Sequence, residues 1–184
     1  MYIALGVSVI FLFLVIALYN SLVCIDNQCD EAWSNVETEL KRRYDLIPRL
    51  VSTVKGYVQH EKSLLEDVVN LRERALNNQN SVISQAYDET VLQQALNRLI
   101  IRLEAYPELK ASKNFLELQK ELSNTEDRIQ AALRFYNGNV RENNNAVKQF
   151  PSNIVASIVR FDRKAFFRID EPISKLPPDV DFYN

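Results

Sequence analysis

The first 25 residues constrain this chain more than any other feature, because they contain no charged side chain and Asp26 is the first to appear. As a helix they would measure about 37 Å, enough to cross a hydrocarbon core of about 30 Å. The stretch IALGVSVIFLFLVIAL, residues 3–18, is their centre. A cleaved signal peptide would carry basic residues before the apolar run and a small-x-small cleavage site. No basic residue is present there, and in SLVC, Val23 stands where a processing site wants a small residue. The segment therefore reads as an uncleaved single-span anchor. Lys41, Arg42 and Arg43 follow the span and no basic residue precedes it. The positive-inside rule then puts the N-terminus outside and the following domain in the cytoplasm.

Beyond residue 25 the spacing of apolar residues is helical. Cys29, Trp33, Val36, Leu40, Arg43, Ile47, Leu50, Val54 and Tyr57 alternate steps of three and four and predict helix one over 26–59. Leu64, Val68, Leu71 and Ala75 predict helix two over 62–77, ending in NNQNS. Leu92, Leu96, Leu99, Leu103 and Tyr106 predict helix three over 85–106, stopped by Pro107. The longest seam runs from Phe115 to Phe150 and predicts helix four, with Asn114 and Glu117 spaced as a capping box and Pro151 after its end. Three glycines and six prolines in 184 residues leave few turn-formers, in keeping with long helices.

The expected fold is all-α: an N-terminal transmembrane helix (1–25), an antiparallel up-down-up-down four-helix bundle (26–150) and a C-terminal tail (151–184). Helices one and four are long, and helices two and three form a shorter hairpin. The hairpin cannot cover the full length of the long pair. The membrane-proximal half is then expected to expose an apolar seam, and a homo-oligomer would cover it.

Arg43 falls on the seam of helix one, where an unpaired charge would cost several kcal/mol. Glu39 lies four residues before it, and an antiparallel helix four brings NTED, residues 124–127, to the same level. Glu39, Arg43, Thr125 and Glu126 are the expected polar layer that sets helix register; a charged substrate site is the rival reading. Pro48 removes the bond that residue 48 would donate to the Tyr44 carbonyl and marks an expected joint. An enzyme would have to draw on Arg43, Tyr44, Asp45 and Tyr57, but no pocket of tuned groups is indicated.

Metal and cofactor chemistry finds little support. One histidine and two cysteines, Cys24 and Cys29, fall short of a four-ligand zinc site. HEKSL has Leu64 where a zincin motif places its second histidine. A di-iron bundle needs a histidine on each of two helices. Five residues apart on a helix, the two thiols project about 140° from each other and do not pair. A net charge of −2 gives no basic footprint for nucleic acid. No cofactor, metal or nucleic-acid partner is expected. The tail after Pro151 combines aliphatic and aromatic residues with basic ones, and Arg160, Phe161, Arg163, Lys164, Phe166, Phe167 and Arg168 are candidate membrane-surface contacts. Packing of the same residues onto the bundle is the alternative.

The blocks YNSLV, EAWSNVETELKRRYDLIPRLVSTVKGYVQHE, YPELKASKNFLELQKELSNTEDRI, FYNGNV and FPSNIVA, between Tyr19 and Phe161, resemble the LemA family. That resemblance implies a bacterial, N-terminally anchored protein of the inner membrane, with an antiparallel helical-bundle domain and no established enzymatic activity. The expected function is a non-enzymatic scaffold that self-associates and organises or shapes the membrane or an envelope complex. The alternative is a monomeric tethered adaptor whose distal hairpin meets an unidentified protein partner. If residues 1–25 anchor the chain, carbonate washing of membranes leaves the intact protein in the pellet; a soluble chain beginning after residue 20 is the contrary result.

Overall fold

The computed structural model describes residues 1–78 and 80–168. Among these residues the protein is all-helical and contains no strand. Helix α1 (Tyr2–Val54) is one unbroken element of 53 residues, about 80 Å long. A single 3-10 turn, Gln59–Glu61, leads into α2 (Lys62–Leu76). Then come α3 (Val82–Leu103), the one-turn α4 (Pro107–Lys110), α5 (Lys113–Lys148) and α6 (Ser152–Val159).

The observed ends differ from the expected ones for local reasons. α1 stops at Val54 rather than 59, so Tyr57 leaves the seam and is 44% exposed. α3 begins three residues early because the Ser81 hydroxyl caps it, accepting from the Ser84 amide at 3.2 Å. The proposed Asn114–Glu117 box does not form. Asn114 lies inside α5, Ser112 occupies the cap position without a side-chain bond, and Glu117 instead lies 3.9 Å from Lys113. α5 closes at Lys148, which leaves Phe150 80% exposed instead of on the seam.

The long helices α1 and α5 pack along each other in opposite directions. As numbering rises in α1 it falls in α5 through the ion pairs Glu39–Arg128, Arg43–Glu126 and Arg49–Glu121. Helices α2 and α3 do the same, through Glu61–Arg102 and Arg74–Asp88. The main core follows the predicted seams: Val36, Ile47 and Leu50 from α1, Val68 from α2, Leu99 from α3 and Ile129 from α5 are fully buried or nearly so. A second, smaller cluster sits where α6 packs Val155 and Ala156 against Leu22, with Val15 and Leu18 at its edge.

Residues 151–168 do not hang free. α6 contacts α1 and α5, and the extended segment 161–168 continues along them, burying Phe167 in the main core. The membrane-proximal seam that the sequence leaves uncovered is thus covered from within: Cys29, Val36 and Val140 are each 0% exposed. At these positions the seam that a second copy was expected to cover is buried within one chain.

On α3 the helical period is sharp, with Leu99 fully buried and Ile101 67% exposed. Leu99→Ala should cost about 2–5 kcal/mol by emptying core volume. Ile101→Ala should stay within about 0.5 kcal/mol. Denaturant titration of both variants checks the assignment.

Candidate functional site

Arg43 is 3% exposed and lies between α1, α3 and α5. Its Nη2 donates to Glu89 Oε2, and its Nη1 donates to Gln93 Oε1 at 2.7 Å and to Glu126 Oε2 at 3.1 Å. Glu89, itself 2% exposed, accepts in addition from the Tyr44 hydroxyl and from Gln85 Nε2 at 2.8 Å. Gln85 Nε2 also reaches the Ala75 carbonyl at 3.2 Å. Burial raises the Tyr44 phenol well above its usual range, and the neighbouring Glu89 carboxylate pushes the same way, so Tyr44 serves as a neutral donor. Desolvating Arg43 and Glu89 costs several kcal/mol each, which is offset only because acceptors and donors from α1, α3 and α5 converge on them. A slip of one helical turn, about 5.4 Å, would strand the charges among aliphatic side chains.

Of the four residues expected in this layer, the structure brings Arg43 and Glu126 together. Glu39 turns instead to Arg42 at 3.6 Å and Arg128 at 3.8 Å. Thr125 is buried, but its hydroxyl donates to the Glu121 carbonyl of its own helix at 2.8 Å. The missing members are Gln85, Glu89 and Gln93 on α3. Stepping back from Leu92 by three, then by four, lands on Glu89 and Gln85, so an extended seam would have found two of them. Asp45 and Tyr57 are exposed while Arg43 and Tyr44 point inward, so the four residues an enzyme would need do not share a site.

Pro48, expected to mark a joint, lies inside α1. Helix α1 runs through it without ending. Proline lacks the amide that would have bonded to the Tyr44 carbonyl, and this carbonyl accepts instead from Arg72 Nε of α2 at 2.7 Å. The orphaned acceptor becomes a tie between two helices.

The asparagine-rich end of α5 is held in a regular helix by use rather than by propensity. Asn144 donates to the Lys164 carbonyl at 3.0 Å and accepts the Lys164 amide at 2.9 Å. Asn137 makes the same pair of bonds with Phe167, at 2.8 and 3.0 Å. Asn143 donates to the Asp162 carbonyl at 3.3 Å and the Tyr136 hydroxyl to the Ala165 carbonyl at 3.0 Å. Seven helical residues span about 10.5 Å and three extended ones about 10 Å, so Asn137 and Asn144 match Phe167 and Lys164 in register. The amides thereby give an extended strap the bonds that a neighbouring strand would supply.

Lys164 completes the strap by pairing with Asp26 at 2.9 Å and Asp30 at 2.5 Å, just beyond the apolar run of α1. Partial burial lowers its affinity for a proton, but the bonds to Asp30 and Asp26 outweigh this and its pKa is raised. Phe167 stacks near Trp33, with ring centroids 6.1 Å apart, and Trp33 lies 5.1 Å from Tyr136. Lys164, Phe166 and Phe167 are therefore committed to the body of the protein. Phe161 is half-buried beside Tyr19, and Arg160, Arg163 and Arg168 remain exposed. Among the described residues there is no cluster of three or more metal-ligating side chains.

These features define an all-helical protein in which a long apolar N-terminal helix runs directly into a helical body. The sequence profile of the LemA family matches residues 32–182, and the chain belongs to that family. It is 28% identical to Protein LemA of Metamycoplasma hominis over 162 residues, covering 88% of this chain and 74% of the relative. It is 22% identical to the magnetosome protein MamQ of Magnetospirillum gryphiswaldense and to MamQ 2 of Paramagnetospirillum magneticum, in each case over 86% of this chain and 67% of the relative.

Arg43→Ala leaves Glu89 buried without its counter-ion and should destabilise by about 3–5 kcal/mol; an unchanged melting temperature would mean that the layer carries no weight. Arg72→Ala should cost about 1.5–3 kcal/mol through its charge-assisted bond to the Tyr44 carbonyl. In a Pro48→Ala background the restored helical bond competes for that carbonyl, so the cost of Arg72→Ala should shrink. A double-mutant cycle measures the coupling.

Proposed function

We propose that this protein is a membrane-anchored, non-enzymatic helical scaffold that holds its distal hairpin off the bilayer for an envelope partner. The observation that carries the reading is the unbroken α1. Its apolar N-terminal part is the one stretch, among the described residues, long and apolar enough to cross a membrane, and it continues without a break into the core. An anchor joined this way transmits position rigidly. We read α1, α2, α3 and α5 as an up-down-up-down four-helix bundle, with the Arg43 layer fixing its register. The names of the MamQ relatives tie those proteins to magnetosomes, which supports a membrane-associated setting for this chain.

The distal end has a place for a partner. A groove of about 520 Å³ lies between the end of α1 and the start of α2, lined by Val51, Val58, Leu65 and Val69 with Lys55 and Lys62 at its rim. Its apolar lining supports a partner that offers an apolar side chain; Lys62 already faces Glu66 of the same groove at 3.7 Å. The bundle belongs on the cytoplasmic side of a bacterial membrane in this reading, because Lys41, Arg42 and Arg43 follow the apolar run and no basic residue precedes it.

Self-association is the competing use of the same scaffold. Cys24 is exposed whereas Cys29 is buried with its thiol pKa raised by burial, so mild oxidation would crosslink neighbouring copies through Cys24 alone. Native mass spectrometry of the gently solubilised chain should give a monomer that Cys24 does not crosslink. A ring or larger assembly, crosslinked at Cys24 and lost on Cys24→Ser, would establish the self-associating reading instead.

A further inference from the structure

The apolar run of α1 and helix α6 sit at the same level. Val155 and Ala156 of α6 pack against Leu22, with Val15 and Leu18 beside them, and Phe161 meets Tyr19 edge-on at 6.3 Å between centroids. Every one of these α1 residues precedes Asp26, the first charge in the chain. From Leu22 back to Val15 is about 10 Å along the helix. If α6 stood in water, the part of α1 it touches would stand there too. The apolar turns left over, Tyr2–Leu14, would then measure about 20 Å against a hydrocarbon core of about 30 Å. A full span and a fully hydrated α6 are incompatible.

The outer face of α6 fits the other solution. Ile154 and Ile158, four residues apart on one side of α6, are 50% and 75% exposed, Val159 beside them is 44% exposed, and Phe150 in the turn before the helix is 80% exposed. Helix α6 has no charged residue, and exposed basic side chains bracket it: Lys148 before it, Arg160 and Arg163 after it. An apolar face flanked by basic residues at this depth matches a helix lying about 5–10 Å into the headgroup and acyl boundary. Resting on the reading of α1 as a membrane span, we infer that α6 is an interfacial helix that inserts Ile154 and Ile158 into the lipid of one leaflet while Arg160 and Arg163 meet anionic headgroups. The asparagine-pinned strap sets its depth, because Lys164 is fastened to Asp26 and Asp30 immediately beyond the span. Phe166, Phe167 and Arg168 lie farther from the bilayer and take no part.

Full-length protein with Cys24→Ser and a single reporter, Ile158→Cys labelled with an environment-sensitive fluorophore, tests this in vesicles of mixed zwitterionic and anionic phospholipid. Position 158 is exposed, so the label should not disturb folding, and Cys29 is too buried to take it. Lipids with a quencher near the headgroup should remove most of the emission at 158, and aqueous iodide should remove little. Arg160→Gln with Arg163→Gln should shift the label toward iodide when anionic lipid is present and change nothing in purely zwitterionic vesicles. Leu12→Cys, in the middle of the run, is the companion site, read with lipids that carry the quencher deep on the acyl chain. Lipid quenching at 12 with iodide quenching at 158 would overturn the interfacial helix and leave the anchor standing. Loss of lipid quenching at 12 would remove the anchor itself. Protection of 158 from both quenchers, relieved by diluting protein in lipid, would make the face a contact between copies and equally overturn the inference.

Discussion

A guanidinium inside a helical core can stay only where the surrounding helices all supply partners at one level, and the arrangement of this protein hangs on that requirement at Arg43. Glu89 and Gln93 come from α3 and Glu126 from α5, while Tyr44, from the next position of α1, donates to Glu89. Aliphatic seams tolerate sliding because one leucine replaces another at similar energy. A charge network does not, since a misplaced carboxylate is left desolvated and unpaired. The layer therefore converts a set of interchangeable apolar stripes into one register. Arg72, taking the carbonyl that Pro48 releases, extends the same constraint to α2.

The other half of the molecule solves a different problem. The pair α1 and α5 outruns the α2–α3 hairpin, and something must shield the excess. The chain uses its own continuation: α6 packs on the pair beside the apolar run of α1, and the strap runs back beside it. An extended segment against a helix has no regular backbone partner, which is why α5 carries asparagines there. Each amide offers a donor and an acceptor, as a peptide group does, and a seven-residue spacing fits a three-residue extended step. Residues that weaken α5 as a helix are the ones that hold the strap. Its anchor at Lys164 also links the strap to Asp26 and Asp30, the first charges after the apolar run.

What was legible in the sequence was whatever follows from period and solvent preference along one segment. The uncharged start, the seams of α1, α2, α3 and α5, and the stops near Leu76, Tyr106 and Pro151 are local facts: hydrophobic burial repeats every three or four residues, and proline and polar runs interrupt it. Arg43 was visible as a charge on a seam for the same reason. Its true partners were not. Glu39 is near in sequence and faces the right way, yet Arg42 and Arg128 take it, while Glu89 arrives from 46 residues away. Which carboxylate meets a buried charge depends on the rotation and level of three helices together, and no spacing within one of them encodes that. The tail shows the same divide. Composition marked it as apolar and basic, suited equally to lipid and to packing. Only the folded chain sorted it residue by residue, turning Phe167 and Lys164 inward and leaving Ile158 and Arg160 outward, because the strap's direction is set by asparagines 20 to 30 residues earlier in the sequence.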